Sequence, residues 1–384
     1  MTTANERAYQ ICTRCVMDTS DPQISFDDQG ICNHCHSYER KAKKLLKTGN
    51  EAELQSIVEN IKKHGRDKQY DCVLGISGGV DSSYAAYVAH LLGLRVLLVH
   101  FDNGWDSELA VNNIENISKK LDFDLYTHVV DWEEFKDLQL AYLWASVVDI
   151  EVASDHAIRA TVLNVARDMK IKYLLGGNNV VTEGIAVAAW DWRKNDLRNL
   201  KSIHKRFGHK RLETYPMAGY GKITYYEKIK RMKRFFPLNY VRYVRNEAKE
   251  ALKKEVGWKD YGGKHYESRW THFYQSYVLP EKFGIDKRRM HLSTLINSNQ
   301  ITRIMALTEL EKPLYDPKQL EYDKEYVLKK FELSEEDFRK IMNLPIVPHQ
   351  NYGTDNLVRI PIRILETLVN PRSFKEQFQR FRKR

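Results

Sequence analysis

The chain has 384 residues, of which 42% are hydrophobic and 29% charged, and its formal net charge is +10 at pH 7. This composition is ordinary for a soluble globular protein, and the length predicts two or three domains, or one large α/β domain with additions. No stretch approaches the roughly 18 consecutive apolar residues of a membrane span, and the first residues contain no apolar signal-peptide core, so we expect a cytoplasmic protein. The positive charge suits nucleic acid, a nucleotide-sugar or a membrane surface, or it forms a solvated basic face.

Two CxxC pairs lie at the start of the chain and form the first predicted unit, residues 1–40. Cys12 and Cys15 are followed by Cys32 and Cys35. In a cytosolic protein this spacing predicts a closed four-sulfur site for structural Zn²⁺, with a redox dithiol or an iron–sulfur cluster as the alternatives. A charged helical connector is expected over residues 41–69.

Short apolar runs and helical stretches alternate from residue 70 onward. This pattern predicts an α/β core over residues 70–185, with a parallel sheet built from βαβ units. The predicted strands are 70–77, 94–102, 123–131 and 171–177, and the predicted helices are 82–93, 107–121 and 155–170. Residues 186–384 are predicted to be a mostly helical region that binds substrate or a partner and completes the active site. The basic stretch to about residue 243 is expected to be helical.

The motif LGISGGVDSSYAA (74–86) joins a predicted strand to a predicted helix. A glycine-rich turn there aims backbone N–H groups and the positive end of the helix at an anion. Gly78 and Gly79 permit close approach of the backbone. Asp81 would repel a phosphate unless a cation lay between them, so it predicts Mg²⁺. No lysine follows the glycines, which excludes the Walker pattern.

The segment SGGVDSS (77–83) resembles the SGGxDS loop of the PP-loop ATP-pyrophosphatases, which cleave ATP between the α- and β-phosphates. The resemblance implies ATP and Mg²⁺ as cofactors. It also implies that the ends of the second and fourth strands face ATP, at the carboxyl edge where open α/β sheets bind ligands. The implied cofactor-binding residues are Ser77, Gly78, Gly79, Val80, Asp81, Ser82, Ser83, His100, Asp102, Asn103, Gly176, Gly177 and Asn178.

Over most of its length the chain resembles the N-acetyl-sugar amidotransferases of bacterial surface-polysaccharide (O-antigen, lipopolysaccharide) biosynthesis. The segments that carry the resemblance are 12–35, 74–84, 100–117, 176–184, 219–229 and 261–293. It implies that ATP adenylylates the acetamido oxygen of a nucleotide-linked sugar with release of pyrophosphate. Ammonia from a glutaminase and a cyclase-like partner then displaces AMP and leaves an acetamidino group.

Basic residues in two segments, 261–270 and 286–291, are the candidates for neutralising the negative charge of the phosphates. Asp81, Lys264 and Arg288 are the predicted catalytic residues, and Glu267 is a candidate metal ligand or positioning group. For each residue outside the loop the alternative is a surface salt bridge. The aromatic residues of 190–192 and 269–275 either line a sugar or uracil pocket or belong to the core.

The alternative function is a PP-loop enzyme that modifies tRNA, by thiolation or by a lysidine-type reaction, because the basic charge also suits RNA. No cysteine follows Cys72, which disfavours sulfur transfer and hence a nucleic-acid substrate. The same absence excludes a cysteine-type glutaminase within this chain, so ammonia must come from a partner or from solution. A non-catalytic scaffold would be expected to have lost Asp81 or the loop glycines.

Overall fold

The computed structural model describes residues 8–263, 267–356 and 359, and they contain a five-stranded parallel sheet. The strand order is β3-β2-β1-β4-β5, and every neighbouring pair is parallel. The strands are β1 (Cys72–Gly75), β2 (Val96–Asp102), β3 (Asp124–Val129), β4 (Tyr173–Leu175) and β5 (Lys233–Phe235).

Helices surround this sheet and make up most of the C-terminal half. Those up to β4 and just after it are α1 (Asn33–Leu45), α2 (Glu51–Gly65), α3 (Val80–Leu91), α4 (Glu108–Leu121), α5 (Trp132–Ala145), α6 (Val152–Asp168) and α7 (Val180–Glu183). The later ones are α8 (Leu197–Phe207), α9 (Tyr220–Thr224), α10 (Arg245–Val256), α11 (Arg269–Phe273), α12 (Leu279–Phe283), α13 (Arg288–Asn297), α14 (Arg303–Glu311), α15 (Pro317–Phe331) and α16 (Glu335–Asn343). Tyr225–Ile229 and Tyr274–Val278 are π-helical, and Pro237–Asn239 and His349–Asn351 are 3₁₀ turns.

Local sequence explains where the helices that flank the sheet begin. The Ser107 side chain accepts a hydrogen bond from Ala110 N at the start of α4, and Asp131 accepts one from Glu134 N at the start of α5. Such side chains satisfy amide groups that have no partner within the helix. At its other end α4 closes on Asp122 in the left-handed conformation.

Apolar side chains cover both faces of the sheet. Leu74 and Leu98 pack with α3, α4 and α10 on one face, and Val73 and Leu97 pack with α6 on the other. Because both faces are covered, the central strands read as continuous apolar runs. A third core cluster joins the N-terminal cysteines to α5 and the C-terminal helices. The predicted α/β fold with a helical C-terminal region is confirmed. So is the N-terminal cysteine module, the name used below for the segment that contains Cys12, Cys15, Cys32 and Cys35.

The expectation that the basic stretch is helical up to about residue 243 is only partly right. Lys233–Phe235 forms the edge strand β5, which pairs with β4, and residues 208–219 lie outside regular helices and strands. Nor is all of this stretch a solvated face. Lys194 is 7% exposed and its Nζ lies 2.5 Å from Asp149 Oδ2 and 2.9 Å from Asp191 Oδ1. In the described residues no helix is long and apolar enough to cross a bilayer.

Candidate active site

A glycine-rich turn joins β1 to α3 at the carboxyl edge of the sheet, and we call residues 76–79 the phosphate loop. Gly78 has φ = 75°, and a Cβ there would lie 2.6 Å from Ala110 O. Both the backbone conformation and the space therefore require glycine. A Cβ on Gly177, just after β4, would lie 2.6 Å from Ser82 N. The end of β4 thus packs directly on the first turn of α3.

Hydroxyl groups and aromatic residues from distant parts of the chain fix the phosphate loop. Ser77 N donates to Ser82 Oγ at 3.3 Å, and the two serine hydroxyls are 3.2 Å apart. Trp258 Nε1 donates to Gly78 O at 2.9 Å, and Val80 N donates to the Tyr261 hydroxyl at 3.2 Å. The C-terminal half therefore shapes the loop.

The serines of the motif differ in exposure. Ser77 is exposed and Ser82 is half-buried, so both hydroxyls can face a ligand. Ser83, also in α3, is fully buried. Of these three serines among the predicted cofactor-binding residues, the structure brings Ser77 and Ser82 together and turns Ser83 into the core.

Asp81, in the first turn of α3, receives hydrogen bonds from three residues in two segments of the chain. Thr182 Oγ1 lies 3.2 Å from both carboxylate oxygens, Asn179 Nδ2 lies 3.4 Å from Oδ1, and the Tyr243 hydroxyl donates to Oδ1. Burial and, next, the negative charge of Asp81 raise the pKa of Tyr243 far above its usual range, so its hydroxyl remains a donor. These donors hold the carboxylate in one orientation beside the loop.

The end of β2 contributes a buried histidine–carboxylate pair. His100 Nε2 lies 3.2 Å from Asp106 Oδ2, and its Nδ1 donates to Ile76 O at 3.1 Å. Burial lowers the pKa of His100, but Asp106, the carbonyl of Ile76 and the charge of Asp102 together outweigh burial and the net pKa is raised. Asp102 Oδ1 and Asn103 Oδ1 accept from the amides two residues on, so both side chains shape the turn that follows the strand.

The segment after β4 carries a detail that the sequence prediction missed. Gly176 and Gly177 lie at the carboxyl edge as expected, but Asn178 donates to Glu183 Oε2 at 2.9 Å. Its neighbour Asn179 contacts Asp81 and caps α7 by accepting from Thr182 N at 2.8 Å. Two adjacent asparagines are equivalent in a sequence pattern, and only the backbone decides which one points at the loop.

Residues 105–107 pair with residues 267–269 and bring the C-terminal region to the loop. Ser107 N donates to Glu267 O at 2.8 Å, and a Cβ on Gly79 would lie 3.6 Å from Glu267 Oε1. Burial and then the Glu267 charge raise the pKa of Tyr261, which agrees with a carboxylate at this position. The predicted catalytic Lys264 lies outside the described residues.

Arg288 holds two helices together. Its guanidinium pairs with Asp286, with Nη2 2.8 Å from Oδ2, and its Nη1 donates to Glu309 O and Lys312 O at 3.1 and 2.8 Å. Arg289 contacts a different part of the chain, and its Nη1 donates to Val16 O at 3.0 Å. Within the described part of the chain these bonds link α13 to α14 and to the cysteine module rather than to the phosphate loop.

The aromatic segments belong to the core. Trp190 and Trp270 are each 1% exposed and lie in the cluster that joins the cysteine module to the C-terminal helices. Trp192 stacks on His349 with ring centroids 4.8 Å apart. Of the two alternatives for these residues, core packing is the one that the structure supports.

The four N-terminal cysteines converge on one buried point. Their Sγ atoms lie within 4.8 Å of one another, with distances of 3.9 Å (Cys12–Cys35), 3.6 Å (Cys15–Cys32) and 3.8 Å (Cys32–Cys35). A tetrahedral Zn²⁺ with Zn–S bonds of about 2.3 Å has sulfur–sulfur edges of about 3.8 Å, so the arrangement fits the ion. The distances are far longer than a disulfide of about 2.05 Å. Asn297 Nδ2 donates to Cys35 Sγ at 3.4 Å.

The histidines beside the second cysteine pair have other partners. His34 Nε2 lies 2.6 Å from Asp21 Oδ2, and His36 Nε2 lies 2.7 Å from Asp27 Oδ2. Four cysteines therefore suffice as ligands.

Two family models match separate parts of the chain. Residues 71–188 match the queuosine biosynthesis protein QueC, and residues 267–368 match the C-terminal domain of LPS biosynthesis protein WbpG-like proteins. The first range contains the phosphate loop, and the second begins at Glu267, beside that loop. These two matches fit a WbpG-like PP-loop protein. These matches indicate an ATP-dependent enzyme of lipopolysaccharide biosynthesis.

Solved structures similar to this chain include three synthetases. NMN synthetase from Francisella tularensis is 12% identical over 52% of this chain and 72% of that chain, with a TM-score of 0.27. NH3-dependent NAD synthetase from Campylobacter jejuni is 13% identical over 57% and 93%, with a TM-score of 0.27. NAD+ synthetase from Burkholderia pseudomallei is 18% identical over 59% and 99%, also with a TM-score of 0.27. At these scores the superpositions add nothing to the family models. A search of the curated proteins finds no match.

Proposed function

We propose that this protein is the synthetase subunit of an ATP-dependent amidotransferase that acts on a nucleotide-linked N-acetyl sugar. A glutaminase and a cyclase-like protein supply its ammonia. The observation that carries the proposal is the meeting of the phosphate loop and Asp81 with Glu267, where the WbpG-like region begins, at one edge of the sheet.

The chemistry explains why ATP is used. The acetamido oxygen attacks the α-phosphorus, the bond between the α- and β-phosphates breaks, and pyrophosphate leaves. Ammonia then adds to the activated carbon, AMP departs with the former amide oxygen, and a proton is lost to leave the acetamidine. An amide oxygen is a poor leaving group, and adenylylation converts it into a good one. The protein must orient the oxygen and neutralise the phosphate charge.

The described residues support distinct roles in this reaction. The first-turn amides of α3, with Ser77 and Ser82, would hold the pyrophosphate end of ATP. Asp81 would bind Mg²⁺, which supplies charge neutralisation between the carboxylate and the phosphates. Tyr243 would orient Asp81. His100, at the end of β2, would lie beside the adenosine together with the other predicted cofactor-binding residues.

The other two predicted catalytic residues, Lys264 and Arg288, receive different roles in this proposal. Lys264 remains our candidate for contacting the α-phosphate, since it lies three residues before Glu267. Arg288 is better explained as an anchor of α13 and α14 because its hydrogen bonds go to Asp286 and to backbone carbonyls.

The same proposal assigns functions to the regions of a cytoplasmic enzyme. Residues 1–40 would hold structural Zn²⁺ and residues 41–69 would connect this module to the core. Residues 70–185 would bind ATP, and residues 186–384 would bind the sugar nucleotide and the ammonia-supplying partner.

Product analysis tests the proposal. Purified protein with Mg²⁺, ATP and ammonium should release AMP and pyrophosphate when a UDP- or CMP-linked N-acetyl sugar is added. The same nucleotide carrying a sugar without the acetamido group should not stimulate release. ADP and orthophosphate as products would refute the PP-loop chemistry.

The second candidate is a PP-loop enzyme that modifies tRNA, which the match of residues 71–188 to a queuosine biosynthesis protein favours. Pyrophosphate release that responds to tRNA and to no acetamido sugar would select this candidate.

A further inference from the structure

We propose that the cysteine module positions Asp81 through the short helix α7, so that the metal site at one end of the chain sets the affinity of the phosphate loop for Mg²⁺–ATP. The positioning residues are Thr294 in α13, Lys41 in α1 and Gly184 at the end of α7. The proposal rests on the proposed function only in assigning Asp81 to a metal–phosphate site.

The cysteine module is bonded to α13 and α14. Val16 N donates to Ser293 Oγ at 3.1 Å, and Asn297 donates to a cysteine sulfur. Arg303 donates to Cys12 O and Cys15 O, both at 3.0 Å. Ser293 is fully buried and Arg303 half-buried, so water competes little for these bonds. Formation of the four-sulfur site therefore fixes where α13 lies.

Helices α1 and α13 hold α7 from two sides. Lys41 Nζ, in the helix that begins after Cys32, donates to Gly184 O at 2.8 Å, and Ile185 N donates to Thr294 Oγ1 at 3.2 Å. Tyr38 packs with Val180 and Ile185 in a buried cluster. A Cβ on Gly184 would lie 2.5 Å from the Tyr38 ring. No larger residue fits between α1 and α7 without displacing one of them.

The position of helix α7 determines where the groups that hydrogen-bond to Asp81 lie. It has four residues, and its cap Asn179 and its third residue Thr182 both contact the same carboxylate. A single turn has no stability of its own in water, so its place depends on the groups packed around it. Movement of α1 or α13 would therefore move the two donors that orient Asp81.

Two pairs of variants test this inference. Thr294→Val removes the hydroxyl that Ile185 N donates to, whereas Thr294→Ser keeps it. Gly184→Ala introduces the clash with Tyr38, whereas Gly221→Ala adds a Cβ with nothing within 4 Å. We expect Thr294→Val and Gly184→Ala to weaken Mg²⁺–ATP binding on the order of 5-fold, while both controls bind like the wild type.

The Mg²⁺ dependence of ATP binding distinguishes a loss of Asp81 positioning from a general disruption of the fold. When Mg²⁺ is omitted, ATP affinity should be the same for Thr294→Val, Thr294→Ser and the wild type, because Asp81 acts on ATP only through the cation. Zinc content should stay at one per chain in all four variants. Isothermal titration calorimetry and elemental analysis give these readouts without any sugar substrate.

A folded Thr294→Val protein with full zinc content and wild-type Mg²⁺–ATP affinity would overturn the inference. If that variant fails to fold, Lys41→Met decides, because it removes only the bond from a half-buried side chain to Gly184 O. Its Mg²⁺–ATP affinity should fall relative to Lys41→Arg, and equal affinities would overturn the inference. Weakened binding in a protein that acts on no acetamido sugar would leave the positioning intact and reject the amidotransferase.

Discussion

At the residue scale the function depends on one carboxylate with an unusual set of neighbours. Asp81 stands at the positive end of α3 and is hydrogen-bonded by groups from α7 and from Tyr243. A carboxylate held this firmly next to an anion site serves a cation rather than the phosphate itself. Single substitutions at this scale alter one functional group and leave the packing of α3 unchanged.

Asp81→Asn should lower pyrophosphate release by at least about 100-fold, because the side chain loses the charge that attracts Mg²⁺. Its shape is retained, so circular dichroism and Tm should stay near those of the wild type. Asp67→Asn, at an exposed position, is the matched control and should keep full activity. Undiminished pyrophosphate release by the Asp81 variant would refute its metal role.

Tyr243→Phe should weaken Mg²⁺–ATP binding about 10-fold, the effect expected when one hydrogen bond to a charged group is lost. The ring should keep its place, since it packs on Tyr84 with centroids 5.5 Å apart. Calorimetric titration with ATP in the presence of Mg²⁺ measures the change. Tyr84→Phe, which also removes a phenolic hydroxyl, provides the comparison and should bind normally.

The His100–Asp106 pair predicts a pH dependence of stability. The pKa of His100 in the folded protein is above its ordinary value of 6.5, so folding takes up protons near neutral pH. The stabilisation is complete below the unfolded pKa and is lost as pH rises through the folded pKa. Asp106→Asn should therefore cost more stability at about pH 5.5 than at about pH 8.5. NMR titration should show a lower pKa for the His100 ring, and an unchanged pKa would contradict the pairing.

At the element scale, sequence periodicity identifies four of the five strands and misses one edge strand. Strands β1, β2 and β4 fall within predicted apolar runs because both faces of the sheet are covered. The edge strand β5 was missed because two of its three residues are exposed and basic, which makes it indistinguishable from its surroundings. Helix α7 was missed because four residues are too few to show a helical period.

Close packing between elements gives a prediction at this scale. Gly177→Ala should destabilise the protein by about 1–3 kcal/mol, because its Cβ would meet the backbone of α3, which cannot move aside as a side chain can. Thermal unfolding measures the loss, and pyrophosphate release should fall with it since β4 would push the first turn of α3 away. Gly221→Ala, which meets no atom within 4 Å, should unfold at or above the wild-type temperature.

At the scale of the whole molecule, local motifs and long-range contacts differ in how far a sequence reveals them. The phosphate loop and the cysteine pairs could be predicted because each is a short pattern with its own chemistry. Tyr243, Trp258 and Tyr261 could not, because they lie 162, 180 and 181 residues from their partners at the loop and no sequence pattern pairs them with it. Only the path of the folded chain brings them together.

The cysteine module predicts a property of the whole chain. Cys32→Ser should release the zinc and lower Tm by more than about 4 °C, since it would take away one of the four ligands of an ion whose site joins residues 12–35 to α13 and α14. Cys72→Ser is the matched control, because this thiol is buried in β1 away from the four-sulfur site and its loss should leave the zinc content at one per chain. Limited proteolysis should then cut Cys32→Ser, and not Cys72→Ser, between α13 and α14, because Arg303 would have lost the carbonyls that hold it. Cleavage elsewhere with α13 and α14 still protected would mean that the C-terminal helices are held by the core alone.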